Sequence, residues 1–124
     1  IAMQDENFSV YVGSDILSFP CFLLGAKGMV SGPAGVIPEI YVSYYQAIQA
    51  GNLEKAGSLY RKIAYISQMF KDGSDLSLFK IALQMRGLMV GGVRPPLIEC
   101  SKNDKDRFVK EFKTFIETNN IPKY

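Results

Sequence analysis

The chain of 124 residues contains no histidine, which removes the commonest general base and the commonest metal ligand. Its two cysteines, Cys21 and Cys100, lie far apart and outside any ligand-like spacing. They read as reduced, buried thiols, neither a disulfide framework nor a zinc site. Long hydrophobic runs are missing too. The most apolar window, residues 16–24, is far too short to span a bilayer, and no stretch reads as a signal peptide. A formal net charge of +2 is too small to point to nucleic acid. The basic residues between Lys102 and Lys113 are interleaved with Asp104, Asp106 and Glu111, so that segment reads as a solvated helix face. There is no internal repeat and no low-complexity segment. With 48% hydrophobic residues, the composition is that of an ordinary globular protein. The expectation is a cytoplasmic protein with neither membrane nor nucleic-acid partners.

What is present is organised around residues 8–39, FSVYVGSDILSFPCFLLGAKGMVSGPAGVIPE. Residues 8–12 are apolar and rich in β-branched side chains, which predicts a strand buried on both faces. Asp5-Glu6-Asn7 is the polar turn before it. Gly13-Ser14-Asp15 ends the strand, and Ser14 or Asp15 can cap a helix running to Leu24. That helix is apolar almost all round, so a further helix or another subunit is expected to cover it. Gly25 suits a left-handed helix end. Extended structure resumes over residues 27–31. A second small-residue loop, Gly32-Pro33-Ala34-Gly35, precedes Pro38 at a first helical position. Strands joined through a helix pair in parallel, so both small-residue loops fall on the carboxyl edge, where parallel α/β folds bind ligands.

Downstream the periodicity is helical. Residues 38–50 form one helix closed by Gly51. Asn52 caps a long amphipathic helix reaching Phe70, with Leu53, Ala56, Leu59, Ile63, Ile66 and Phe70 on its dry side. Residues 71–74 turn, and residues 75–86 form a helix whose polar stripe is Ser77, Lys80 and Gln84, leaving the remaining surface to be buried. Gly87 stops it. Gly91-Gly92 and Pro95-Pro96 make a stiff extended connector. Ser101 with Asp104 is a capping pattern for a last helix, residues 103–117, burying Phe108, Phe112 and Phe115.

VGSD at 12–15, GAKGMVSGPAGVIPE at 25–39, AIQAGNLEKAGSLYRKI at 47–63, FKIALQMRG at 79–87 and VRPPLIE at 93–99 occur in that order. Together they resemble the C-terminal part of the dihydrodipicolinate synthase / N-acetylneuraminate lyase family, which includes archaeal 2-keto-3-deoxygluconate aldolases. Members are (β/α)8 barrels that perform pyruvate aldol chemistry through a lysine Schiff base. The resemblance implies an α/β fold, the C-terminal portion of a TIM barrel. Its last two βα units would span 1–51 and a three-helix C-terminal extension 52–124, helix-dominated overall. The chain begins at Ile1, and Ile1-Ala2-Met3 reads as the tail of a preceding helix. We therefore expect a piece of a longer protein, the alternative being a complete small protein after processing.

In the resembled family the imine-forming lysine sits on the sixth barrel strand and a proton-relaying tyrosine on the fifth. Neither strand is in this segment, so it holds no catalytic residue and is expected to be inactive alone. Lys27 stands at the wrong end of its strand to take over. What the resemblance does assign is substrate binding, to Gly13, Asp15, Val30, Ser31 and Gly32. Asp15 matches an acidic position that, in sugar-acid aldolases, bonds hydroxyls of the aldehyde-derived part. Val30 matches the residue lying against the lysine. Other roles stand beside these: Asp15 as a helix cap, Gly13 and Gly32 as tight turns, Val30 as core, Arg94 as a connector pin or a site contact. The implied partners are pyruvate and an aldehyde or 2-keto-3-deoxy sugar acid, in a homo-oligomer, a tetramer in the family, with no cofactor or metal. Ile16 replaces a glutamate of sialic-acid lyases and Gly35 an asparagine common in the family, leaving the subfamily open. A non-catalytic helical assembly module on the same scaffold is the alternative function.

Overall fold

The structure is a computed structural model that describes Ile1 and residues 3–124; Ala2, part of the expected preceding helix, lies outside the described residues. The chain divides into two compact units, Ile1–Ser67 and Gln68–Tyr124. No helix among the described residues is long and apolar enough to cross a membrane.

The first unit contains β1 (Tyr11–Val12), α1 (Ser18–Leu23), β2 (Gly28–Met29), α2 (Pro38–Gln49) and most of α3 (Leu53–Met69). The strands pair in parallel, Tyr11 opposite Gly28 and Val12 opposite Met29. Backbone bonds from Lys27 N to Val10 O and from Val30 N to Val12 O, both 2.9 Å, extend the pairing. The strand predicted over residues 8–12 is thus much shorter. Asp5 Oδ1 accepts from the amides of Asn7 and Phe8, at 2.8 and 2.9 Å, and Gln4 Oε1 from that of Val10 at 3.0 Å. These side chains take donors that a longer ladder would use. Nor is the strand buried on both faces: Val12 is buried, whereas Phe8 and Tyr11 are 57% and 60% exposed. Val30, expected in the core, is 70% exposed at the end of β2, on a face no other described segment covers.

α1 starts at Ser18, later than predicted, with Leu17 before it and no side-chain cap. Neither Ser14 nor Asp15 caps it, although the Asp15 carbonyl accepts the Ser18 amide at 3.2 Å. Leu17, Leu23 and Leu24 are exposed, so the covering expected for this helix is not supplied by the described chain. Gly25 ends the segment at φ +98°, where a Cβ would be strained. A single 3-10 turn over Pro33–Gly35 occupies the second loop, and Pro38 opens α2 with a fixed φ and no orphaned amide. α2 buries Ile40, Tyr41, Tyr44 and Ala47 on one stripe. Phe22 of α1 meets it through the rings of Tyr44 and Tyr45, centroids 5.7 and 5.8 Å away. Asn52 Oδ1 accepts the Lys55 amide at 3.0 Å, as a cap before α3.

The second unit packs α4 (Leu76–Met85) on α5 (Lys102–Thr118) around phenylalanines. Phe70 lies 4.6 Å from Phe79 and 5.1 Å from Phe108, and Phe108 stacks on Phe112 at 5.5 Å, centroid to centroid. Asp75 caps α4 and Ser101 caps α5 through the Asp104 amide at 3.1 Å. The polar stripe predicted for α4 does not hold. Ser77 is buried, donating to Asp75 Oδ1 at 2.6 Å and accepting from Cys100 N at 3.0 Å, while Leu76 is exposed. Both cysteines are free and half-buried, not fully buried as expected. Arg86, which pattern reading treats only as a helix end, is 1% exposed. It donates to the Pro122 carbonyl through Nε at 3.1 Å and Nη2 at 2.7 Å, and lies 4.0 Å from the centre of the Tyr124 ring.

Candidate functional site

Parallel pairing places the segment after β1 and the segment after β2 side by side on one edge. Asp15 comes from the first and Ser31 from the second. The Ser31 hydroxyl donates to Asp15 Oδ2 at 3.0 Å and accepts the Ala34 amide at 3.3 Å. A third group arrives from α2: the Tyr41 hydroxyl donates to the same Oδ2 at 2.7 Å. Pro38 starts α2 just after β2, which puts Tyr41 in the helix's first turn and its phenol beside the strand ends.

Asp15 is only 8% exposed, and its two oxygens differ. Oδ2 holds two hydroxyl donors. Oδ1 makes no hydrogen bond among the described residues. Yet among the described residues no buried side-chain nitrogen or oxygen lacks a partner, so Oδ1 is an open acceptor and not a sealed one. The backbone of Asp15 is held as well: its carbonyl accepts the Ser18 hydroxyl at 2.7 Å. With that proton committed, the Tyr44 phenol donates to Ser18 Oγ across 3.1 Å. Burial, then the negative charge of Asp15, pushes the Tyr41 phenol far above its ordinary value. It therefore stays protonated and donating across the working range. Burial similarly pushes Tyr44 up to about 12, against the opposing Ser18 hydrogen bond. The arrangement is a fixed, mostly buried carboxylate presenting one free lone-pair face, suited to receiving an O–H or N–H donor.

The other residues singled out from sequence fall around this carboxylate in different ways. Gly13 is exposed, has no positive φ, and a Cβ built on it would meet nothing within 4 Å. Gly32 has φ −63°, so neither glycine is required by its own turn. Val30 and Gly32 are exposed beside Ser31. Lys27 lies at the opposite, amino-terminal end of β2, its carbonyl accepting from the Tyr45 hydroxyl at 3.1 Å. Arg94 belongs to the second unit, where its carbonyl accepts the Leu97 amide at 3.0 Å.

The sequence pattern assigns no role to Tyr41, Tyr44 or Ser18. A signal was available. A tyrosine on the buried stripe of a helix must find an acceptor for its hydroxyl, and Asp15 is the carboxylate on the neighbouring edge.

The sequence profile of the Dihydrodipicolinate synthetase family matches residues 1–115. A 4-hydroxy-tetrahydrodipicolinate synthase from Archaeoglobus fulgidus is 34% identical over 112 residues, covering 90% of this chain and 38% of that protein. Among solved structures, dihydrodipicolinate synthase DapA-2 from Bacillus anthracis superposes with a TM-score of 0.82 at 32% identity, over 92% of this chain and 39% of that one. A prophage protein of the dihydrodipicolinic acid synthase family from E. coli K12, solved in complex with pyruvate, superposes with a TM-score of 0.77 at 25% identity, over 87% and 37%. The chain thus spans about two-fifths of the length of the relatives it matches.

Proposed function

Because the chain belongs to the dihydrodipicolinate synthase family of lyases, we propose that it forms the last two βα units of a barrel, residues 1–51, followed by a helical extension, residues 52–124. The parent is then a pyruvate-dependent class I aldolase or synthase. Its amine nucleophile and relay tyrosine lie on strands outside this segment, which contributes the far wall of the pocket. Pyruvate condenses with the amine and water leaves. In cleavage the protonated imine accepts the electron pair of the breaking carbon–carbon bond and becomes an enamine. In condensation the imine first loses a carbon-bound proton to give that enamine, which attacks the aldehyde carbon as the aldehyde oxygen takes up a proton. Gly13 lets backbone approach the bound molecule. Val30 lies against the imine-forming lysine, and Ser31 and Gly32 close the rim. Asp15 Oδ1 accepts from the aldehyde-derived portion. In this reading the exposed Tyr11 and Val30 face the rest of the barrel, and the open side of α1 meets another helix or subunit of a cytoplasmic homo-oligomer.

One observation carries the assignment to Asp15: a carboxylate, 8% exposed, with two hydroxyls on one oxygen and the other oxygen open at the carboxyl edge. The reading favours a hydroxylated aldehyde, cleaved from a 2-keto-3-deoxy sugar acid. In the full-length protein, Asp15→Ala should lower kcat/KM for that cleavage by about ten- to a hundredfold, the equivalent of roughly 1–3 kcal/mol, while pyruvate imine formation persists. Unchanged cleavage would remove Asp15 from the site. Efficient condensation with aspartate semialdehyde, and none with a hydroxyaldehyde, would reassign the substrate.

A further inference from the structure

Resting on that reading, we infer that Tyr41 is a positioning residue that sets how the pocket discriminates hydroxylated from plain aldehydes, by fixing which oxygen of Asp15 faces the ligand. A carboxylate's two oxygens are chemically equivalent, and a free aspartate exchanges them by rotating its side chain. Here they are made unequal. Tyr41 and Ser31 both donate to Oδ2, at 2.7 and 3.0 Å, while Oδ1 has no hydrogen bond among the described residues and is not sealed from solvent. Tyr41 comes from the stiff first turn of α2, and its ring is buried, so its hydroxyl has little freedom to follow a rotating carboxylate. Ser31 lies in a loop and its Oγ also takes the Ala34 amide, so it holds less firmly alone. Burial beside Asp15 keeps the phenol protonated, so its hydroxyl stays a donor to Oδ2 at 2.7 Å. Saturating one oxygen leaves the other as a pure acceptor at a defined place. A ligand hydroxyl gains from such an acceptor; an alkyl group in the same place leaves it unpaired.

The test uses the full-length protein and two aldehydes of similar length, glyceraldehyde and propanal, each condensed with pyruvate. Tyr41→Phe deletes the hydroxyl and keeps the ring. It should lower kcat/KM for glyceraldehyde about tenfold, the usual scale for one hydrogen bond to a charged group, and leave propanal within about twofold. The glyceraldehyde-to-propanal ratio therefore falls about tenfold, which a general loosening of the fold would not produce. In an Asp15→Asn background the same substitution should move the ratio no further, since Tyr41 acts through Asp15. Tyr41→Met, which also lacks the donor, replaces the phenylalanine variant if that one does not fold. Equal losses with both aldehydes, or an unchanged ratio, would overturn the inference while leaving the aldolase reading intact. Borohydride reduction with pyruvate separates the two: failure of the wild-type protein to trap an adduct would remove the aldolase reading, and this inference with it.

Discussion

The two units use polar side chains for opposite purposes. In Ile1–Ser67 they turn inward: Tyr41, Ser31, Ser18 and Tyr44 converge on one aspartate and its backbone, although plain apolar contacts would be easier to bury. In Gln68–Tyr124 Asp75 and Ser101 cap helices and Arg86 ties down the chain's last residues, around a core of packed phenylalanines. Both units bury a core, around Ile37, Tyr44 and Ile63 in the first and Phe70, Phe108 and Phe112 in the second. Both also leave apolar side chains uncovered, Leu24 and Val30 in the first, Met89 and Ile98 in the second. A polar network that leaves one carboxylate oxygen open is shaped for something outside itself; helix caps around an aromatic core are shaped for stability.

The contrast predicts that damage to the second unit appears as lost stability and damage to the first as lost discrimination. The largest effect belongs to Phe112→Ala, which empties a fully buried site between two rings and should cost about 3–5 kcal/mol in denaturant unfolding. Arg86→Ala comes next. It strips the Pro122 carbonyl of two donors and the Tyr124 ring of its cation, and should cost about 2–3 kcal/mol. Arg86→Lys should recover little of that, because an ammonium cannot reproduce the planar fork.

The helical periodicity of the second half was legible because it follows local rules. Asn52, Asp75 and Ser101 cap where pattern reading puts a cap or helix start, and Gly25, Gly51 and Gly87 take positive φ at helix ends. The parallel pairing was legible as well, since two strands joined through a helix leave little choice. What failed depended on side-chain hydrogen bonds, near or remote in sequence, that hydrophobic periodicity does not encode. The strand at residues 8–12 shortens because Gln4 and Asp5 side chains take its amides, and Ser77 is buried because the amide of Cys100 needs an acceptor. Asp15 illustrates both outcomes. Its place on the carboxyl edge follows from order along the chain, but its choice of Tyr41 over a capping role depends on α2 arriving from 26 residues away.

An effect of intermediate size lies on the alkaline side and belongs to the first unit. Tyr41 and Tyr44 have folded-state pKa values above the ordinary 10.0, so their contribution is complete below that pH and is lost as pH rises. Stability should fall by up to about 1.4 kcal/mol per pH unit for each phenol that ionises only on unfolding. Tyr41→Phe and Tyr44→Phe should each flatten that decline in thermal melts between about pH 10 and 12.

The smallest effect returns to the second unit's surface. The hydrogen bond with Lys71 lowers the Asp104 carboxyl, and the same bond raises the Lys71 ammonium. Asp104's contribution is present above its unfolded value of 3.8 and lost as pH falls through the lower folded one. That of Lys71 is present below 10.5 and lost as pH rises through the higher folded one. Asp104→Asn should trim both edges of the pH–stability curve slightly, and high salt should erase the difference because the pair is partly exposed.

The most direct test is where pyruvate attaches. The full-length polypeptide, reduced with borohydride in the presence of pyruvate and digested, should carry its adduct on a lysine upstream of this segment, one per subunit. Every lysine from Lys27 to Lys123 should be unmodified. An adduct on any of those lysines would contradict the division of labour proposed here, in which this part of the chain supplies the receiving wall and not the amine.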